Sequence, residues 1–523
     1  MKAFFKFWLM AAWLAATLAP CAAQTRGGTL RVILNPEPPT VVLGINTQGP
    51  TQIVGGKIYE GLLAYDFDLS PRPRLAKSWT VSPDGLSYTF KLQEGVRWHD
   101  GKPFTAQDVI FSLQTMLPET NAMAKVNFSR VADYLAPDPL TVVIKLQEPY
   151  APFLGAFEAA SAPMMPAHLY RGTDYRNNPA NQTPIGTGPF KFKEWRKGQS
   201  IELVRNDDYW QKGLPYLDGI SFLVIPDSTS RLRAMQTGAA DVASFSDIDF
   251  SQLAQLKANP NLQLTTKGYE MPAPLCWLGL NHRVKPLDDK RFRQALLYAI
   301  DRKTLATQIF AGSARPAKGP ISSLTRFFDP NIPQYAFDPK KAQALLDAMG
   351  LTPDANGRRT TLRLLELPYG ETWSKLAAYI KQSLGKVGIN VVLESTDASI
   401  WSKRVANWEY EMTIRYVYQN GDPALGVSRT YLGSNIRKGV YSNNSSGYNN
   451  PEIDQLFSSA AAATRPESRQ VLYSRIASQL AQDVPEAWLV ELAFPTITHV
   501  AFKNVVTSAV GVMDNFATVY KAK

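Results

Sequence analysis

WTVSPDGLSYTFKLQEGVRWHDGKPFTAQDV, residues 79–109, decides how this chain is read. Pro83-Asp84-Gly85 is a turn, because proline presets φ and glycine accepts positive φ. Trp79 and Val81 before the turn, and Tyr88, Phe90 and Leu92 after it, alternate as half-buried strands do. The stretch therefore predicts a β-hairpin. His99-Asp100-Gly101-Lys102-Pro103 turns the chain again, and Thr105 is placed to cap a short helix that begins at Ala106. Strand hairpin and capped helix together indicate a globular protein with both element types.

Outward from this segment, the same grammar continues. Thr29 to Leu34 predicts a first strand, ending in the Pro-rich loop 35–40 that carries Glu37. Phe190 to Phe192, Ile201 to Val204 and Ile220 to Ile225 predict further strands. Helices are expected after Ser228 and after Asp249, the latter continuous from Phe250 to Ala258. Phe292, Leu296, Ala299 and Ile300 share one helical face. Asp338-Pro339 reads as an N-cap followed by proline at the first helical position, with Gly350 as the stop. Trp373 to Val387 predicts an amphipathic helix closed at Gly388. Ile389 to Glu394 is a β-branched strand, and helices begin at Pro451 and Pro466. This alternation predicts α/β lobes with parallel-rich sheets. Two such lobes leave a cleft suited to a small or medium ligand.

The chain has 523 residues, enough for about three domains. Its 45% hydrophobic and 19% charged content is that of a globular protein. Lys2 and Lys6 precede an apolar run, Phe7 to Ala19, too short to span a bilayer. Residues 1–23 are thus expected to be a secretory signal cleaved before Gln24. The alternative is a lipid anchor on Cys21, but Pro20 makes a poor lipobox. Loss of Cys21 leaves Cys276 without an internal disulfide partner. The formal charge of +11 becomes +9 once Lys2 and Lys6 are gone, which fits a basic solvated surface or a field that attracts anions. No nucleic-acid motif accompanies it, and nucleic acid is not an expected partner.

Catalytic and metal patterns are missing. The sequence contains no HExxH, CxxC, GxSxG or P-loop, and Gly186-Thr187-Gly188 lacks the third glycine of a dinucleotide fingerprint. His99, His168, His282 and His499 lie far apart without ligand-pair spacing. No cofactor, metal or catalytic residue is expected, which leaves an extracytoplasmic hydrolase as a remote alternative only.

Six word strings in order resemble the family 5 extracytoplasmic solute-binding proteins of ABC importers. The first is residues 79–109. Then come Pro184-Ile185-Gly186-Thr187-Gly188-Pro189-Phe190, and Arg205-Asn206-Asp207-Asp208-Tyr209-Trp210 with Pro215, Leu217 and Asp218. Gly238 and Asp241 follow. Asn281, Pro286, Leu287 and Asp289 lead into Arg291 to Leu296 and Ala299-Ile300-Asp301-Arg302. Gly447 to Pro451 with Asp454 closes the series. The resemblance implies a two-lobed periplasmic binding protein of type II, in its large three-subdomain form, with a hinged cleft. It implies lobe I from 24–57, 185–270 and 490–523, an inserted subdomain over 58–184, and lobe II over 271–489, with hinges near 268–275 and 484–494. It implies a monomer in the periplasm that takes a peptide or peptide-like solute and delivers it to permease subunits. An opine, an oligosaccharide or a nickel chelate stays open as the ligand.

In dipeptide-binding members an acidic residue holds the peptide ammonium and an arginine its carboxylate. By resemblance these positions fall on Gln419 and Leu367, so both charged anchors are replaced. A carboxamide gives up the charge-assisted part of the bond to an ammonium. Arg415 and Asp422 are candidate replacement charges, although Asn420-Gly421-Asp422-Pro423 is also turn chemistry. Trp373, Trp401, Trp408, Tyr416, Tyr418 and Tyr431 are plentiful nearby, most of them expected in the core. The ligand-binding set is Glu37, Tyr369, Trp401, Arg415, Tyr416, Tyr418, Gln419, Asn420 and Asp422.

Overall fold

The computed structural model describes residues 25–440 and 443–522. The expected signal segment and Cys21 lie outside the described residues. Two large sheets organise the rest. The first has seven strands in the spatial order Leu262–Thr265, Thr496–His499, Val242–Ala243, Thr29–Leu34, Gly219–Val224, Ser200–Arg205 and Phe190–Arg196. The second has six: Ala314–Pro316, Ala487–Leu492, Leu275–Leu280, Met412–Val417, Thr360–Leu365 and Ile389–Glu394. A four-stranded sheet, Ala76–Val81, Ser87–Leu92, Thr141–Leu146 and Val131–Asp138, forms a third unit.

The expected hairpin is the heart of that third unit. Trp79 pairs with Phe90 across it, and Gly85 takes a φ of +70° in the turn. The helix Ala106–Ile110 follows Thr105, whose N–H donates to Asp108 Oδ2 at 3.0 Å. It continues into a wider π-type turn, Phe111–Met116. The GTG box is a packing device. Gly186 and Gly188 lie so close to the backbone of Lys57 and Ile58 that a Cβ would meet carbonyl oxygens at 1.9 and 2.4 Å. His99 Nδ1 accepts from Gly186 N at 3.3 Å and Nε2 donates to Gly188 O at 2.9 Å. Burial pushes this imidazole down to about 4, which keeps it neutral in that role.

Both large sheets are mixed, against the parallel-rich expectation. Thr29–Leu34 runs parallel to Gly219–Val224 and to Val242–Ala243, and the remaining pairings of the sheet are antiparallel. Thr360–Leu365 runs parallel to both of its neighbours, while the other three pairings are antiparallel. The cause is the path of the chain. Leu275–Leu280 enters the second sheet and Ala487–Leu492 leaves it, side by side and in opposite directions. The two crossings between the sheets are residues 266–274 and 493–495. Asp249 caps a single tight turn, Phe250–Gln252, and the helix proper covers only Leu253–Lys257, so the expected continuous helix is broken.

Two hydrophobic cores result. One holds Leu30, Val32, Phe90, Phe153 and Phe157 and joins the first sheet to the four-stranded unit. The other centres on the second sheet, with Trp277, Ile414, Trp488 and Leu489, and extends to Leu232 and Phe250. Cys276 is a buried free thiol, and its apolar surroundings raise its pKa.

Candidate functional site

In open α/β sheets ligands bind beyond the carboxyl ends of parallel strands. Here those ends are Leu34, Val224 and Ala243 in the first sheet, and Leu365, Glu394 and Val417 in the second. The residues that follow them approach one another. A Cβ on Gly49 would lie 4.0 Å from the Tyr418 hydroxyl. Phe245, two residues past Ala243, touches Tyr269 and Phe494, one from each crossing segment. Tyr418 and Ala424, both beyond the second sheet, pack on the core of the first, and Leu425 belongs to that core.

An aromatic wall lines this seam. Tyr416 stacks on Trp373 with centroids 5.3 Å apart and planes 19° from parallel. It also meets Tyr418 at 6.0 Å, Tyr369 at 6.3 Å and Phe494 at 5.7 Å. Tyr369 meets Trp401 at 6.2 Å and keeps 40% of its surface exposed, the most open ring of the set. Trp401 is buried, with its indole N–H donating to Thr413 Oγ1 at 3.1 Å. Tyr416 and Tyr418 are half-buried.

The polar members of the set are tied into the protein. Gln419 is buried. Its Oε1 accepts from Ser322 N at 2.7 Å and Thr325 Oγ1 at 2.9 Å, and its Nε2 donates to Pro320 O at 2.7 Å. Asp422 is buried against Arg469, which donates to both carboxylate oxygens. Asn420 takes a φ of +51°, and its amide reaches Met123 Sδ at 3.6 Å. Arg415 is 1% exposed and donates to Ser445 Oγ; its charge also favours the ionised form of Glu486, although burial still pushes that carboxyl up to about 7. Leu367 is 2% exposed. Glu37 stands apart from the others, accepting from Trp195 Nε1 at 2.8 Å and Gly198 N at 2.9 Å in the first sheet's hairpin.

The structure thus brings Tyr369, Trp401, Tyr416, Tyr418 and the 419–422 turn together, with Arg415 on the strand leading into them. Sequence reasoning missed Phe245, Tyr269 and Phe494, which no motif flags. It also missed Arg469, which stands 47 residues from Asp422. The four histidines are held by local bonds: besides His99, His282 faces Pro485 O, His168 meets Asp100, and His499 accepts from Ala501 N. Among the described residues no group of three or more His, Cys, Asp or Glu side chains is placed to hold a metal ion. No helix among them is long and apolar enough to cross a membrane.

Two mixed sheets, two crossings and a seam at the strand ends define a two-lobed binding protein. Residues 70–439 match the model of bacterial extracellular solute-binding proteins, family 5, and the chain belongs to that family. It is 31% identical over 446 residues to the glutathione-binding protein GsiB of Pectobacterium atrosepticum, covering 84% of each chain. Among solved structures it resembles the periplasmic binding protein DppA of Helicobacter pylori in complex with the peptide STSA, with a TM-score of 0.83, 25% identity, and 95% and 99% of the two chains covered. It also resembles NikZ of Campylobacter jejuni in complex with Ni(L-His), with a TM-score of 0.82, 26% identity, and 93% and 97% covered.

Proposed function

We propose that this chain is the periplasmic receptor of an ABC importer, acting as a monomer that captures a peptide or peptide-like solute and hands it unchanged to the permease. The observation that carries the reading is the run of contacting rings, Tyr369, Tyr416 and Tyr418, at the carboxyl ends of the second sheet, with the Tyr418 hydroxyl near Gly49 of the first lobe. Aromatic faces hold peptide planes and apolar side chains without charge. Closure of the lobes then follows from the ligand's higher affinity for the closed state. The similarity to peptide-binding and glutathione-binding relatives supports the ligand class.

Export with cleavage before Gln24 completes the proposal; an intact mass carrying acyl chains on Cys21 would replace it by lipid anchoring. The functional test is calorimetry with glutathione, the tetrapeptide Ser-Thr-Ser-Ala and nickel–histidine, joined to small-angle scattering. Peptide binding with a smaller radius of gyration supports the reading. Binding of the nickel complex alone moves it to the metal-chelate alternative. A probe recovered cleaved reopens the hydrolase.

A further inference from the structure

Phe245 sits in the left-handed region, with a φ of +52°, just past the carboxyl end of Val242–Ala243. Bulky side chains are rarely held there, because the Cβ crowds the backbone, and such residues gather at functional sites. This one is held from several directions. Its N–H donates to the Tyr269 hydroxyl at 3.3 Å, and that hydroxyl meets Thr496 Oγ1 at 3.2 Å. The preceding Ser244 N–H is fixed by Asp247 Oδ2 at 2.9 Å, and Arg231 donates to the Asp247 carbonyl. Phe245 is half-buried and packs on both hydrophobic cores. Its centroid lies 5.1 Å from Tyr269 and 5.4 Å from Phe494, so it touches both crossings between the lobes. Phe494 in turn is 5.7 Å from Tyr416. A continuous line of rings therefore runs from the second sheet's wall through the crossing to lobe I, and Phe245 is its end.

We propose that Phe245 is the lobe I contact for the bound solute, packing its open face on the ligand opposite Tyr416 and Tyr418 and setting a preference for an apolar or planar group there. The inference rests on the peptide-receptor reading above. Leu69, Phe327, Trp408, Val484 and Phe516 share this backbone region; what sets Phe245 apart is its place against both crossings at the seam, where the ring itself is what the site needs. Because the ring leans on both crossings, ligand that fills its open face also braces the hinge in the closed arrangement.

The test is calorimetry of the full chain with Ser-Thr-Ser-Ala and with glutathione, using Phe245→Ala, Phe245→Gly and Phe245→Tyr, beside thermal melts without ligand. Affinity for the probe that binds the unmodified protein should fall at least tenfold in the alanine and glycine variants and stay within threefold in the tyrosine variant. The glycine variant should melt at or above the alanine variant, the reverse of the usual order, because glycine accepts this φ. Affinity within twofold of the unmodified protein in Phe245→Ala overturns the inference and leaves the receptor reading intact. A glycine variant that melts below the alanine variant also overturns it, since the backbone would then not be strained. If the unmodified protein binds neither probe, the peptide reading falls and this inference falls with it.

Discussion

Asp422 and Arg469 meet side by side, Oδ1 to Nη2 at 2.8 Å and Oδ2 to Nη1 at 2.9 Å, with both side chains almost wholly buried. The guanidinium also lies over the Phe327 ring and donates to Ala460 O at 2.9 Å. Asp422 therefore anchors the 418–425 loop to the helix Pro466–Asp483 rather than presenting a spare charge. Removing one member of a buried pair leaves the other uncompensated, at a cost of about 3–5 kcal/mol. Asp422→Asn and Arg469→Met should each lose stability of that order in urea unfolding, while the double variant loses less than the sum. Additive losses would show that the two residues act separately.

Gln419 behaves similarly. Its carboxamide uses both of its ends on the loop 320–325. Gln419→Asp removes the donor to Pro320 O and turns a carboxylate toward that carbonyl, with an expected loss of about 1–3 kcal/mol. The same substitution, which puts an acid where the family resemblance would place the ammonium-holding residue, should give no gain in dipeptide affinity. Calorimetry with Ala-Ala and related dipeptides checks this; tighter binding in the variant would show that the position does open onto the ligand.

Simple dipeptides should bind the unmodified protein weakly. Leu367, where the family resemblance would place a carboxylate-holding arginine, is buried, and Gln419 is committed to the protein. Each missing charged anchor costs about 1.5–3 kcal/mol, and each 1.4 kcal/mol is a factor of about ten in affinity. Dissociation constants no better than about tens of micromolar are expected across a dipeptide panel. A sub-micromolar dipeptide would mean that charge anchors exist elsewhere in the cleft.

Stability should depend on pH through carboxyl groups that burial protonates. Burial pushes Glu158 from 4.5 up to about 7, and Asp247 and Glu486 likewise to about 7. A raised carboxyl binds more protons folded than unfolded, so its contribution is fully present below its unfolded pKa and is lost as pH rises through about 7. Glu158→Gln should match the unmodified protein near pH 4 and exceed it at pH 8 by about 2–3 kcal/mol. Lys57, which burial pushes down to about 7, acts in the opposite direction above neutrality but cancels when the two proteins are compared at one pH. Parallel stability curves for variant and unmodified protein over this range would contradict the assignment.

The local elements were legible because their signals are local. The hairpin at 76–92, the cap at Asp338, the helix start at Asn450-Pro451 and the stop at Gly350 each depend on two to five neighbouring residues. Sheet direction was not legible, because the antiparallel pairing of Leu275–Leu280 with Ala487–Leu492 is decided by a return of the chain 200 residues later. The site was partly legible. Tyr369, Trp401, Tyr416 and Tyr418 do gather, since they lie on or just past the carboxyl ends of neighbouring parallel strands of one sheet. The fate of Gln419 and Asp422 was hidden, because their partners Ser322 and Arg469 are distant in sequence and carry no motif. Phe245 was hidden because its position is defined by a backbone angle.

The measurement that tests the central claim most directly is native mass spectrometry of the protein purified from the cells that make it, run beside Tyr418→Ala. A non-covalent adduct with the composition of a peptide or peptide-like solute, present in the unmodified protein and depleted in the variant, is the predicted result. A non-peptidic adduct, or a peptide adduct retained undiminished by Tyr418→Ala, would contradict the account of what this cleft holds and how.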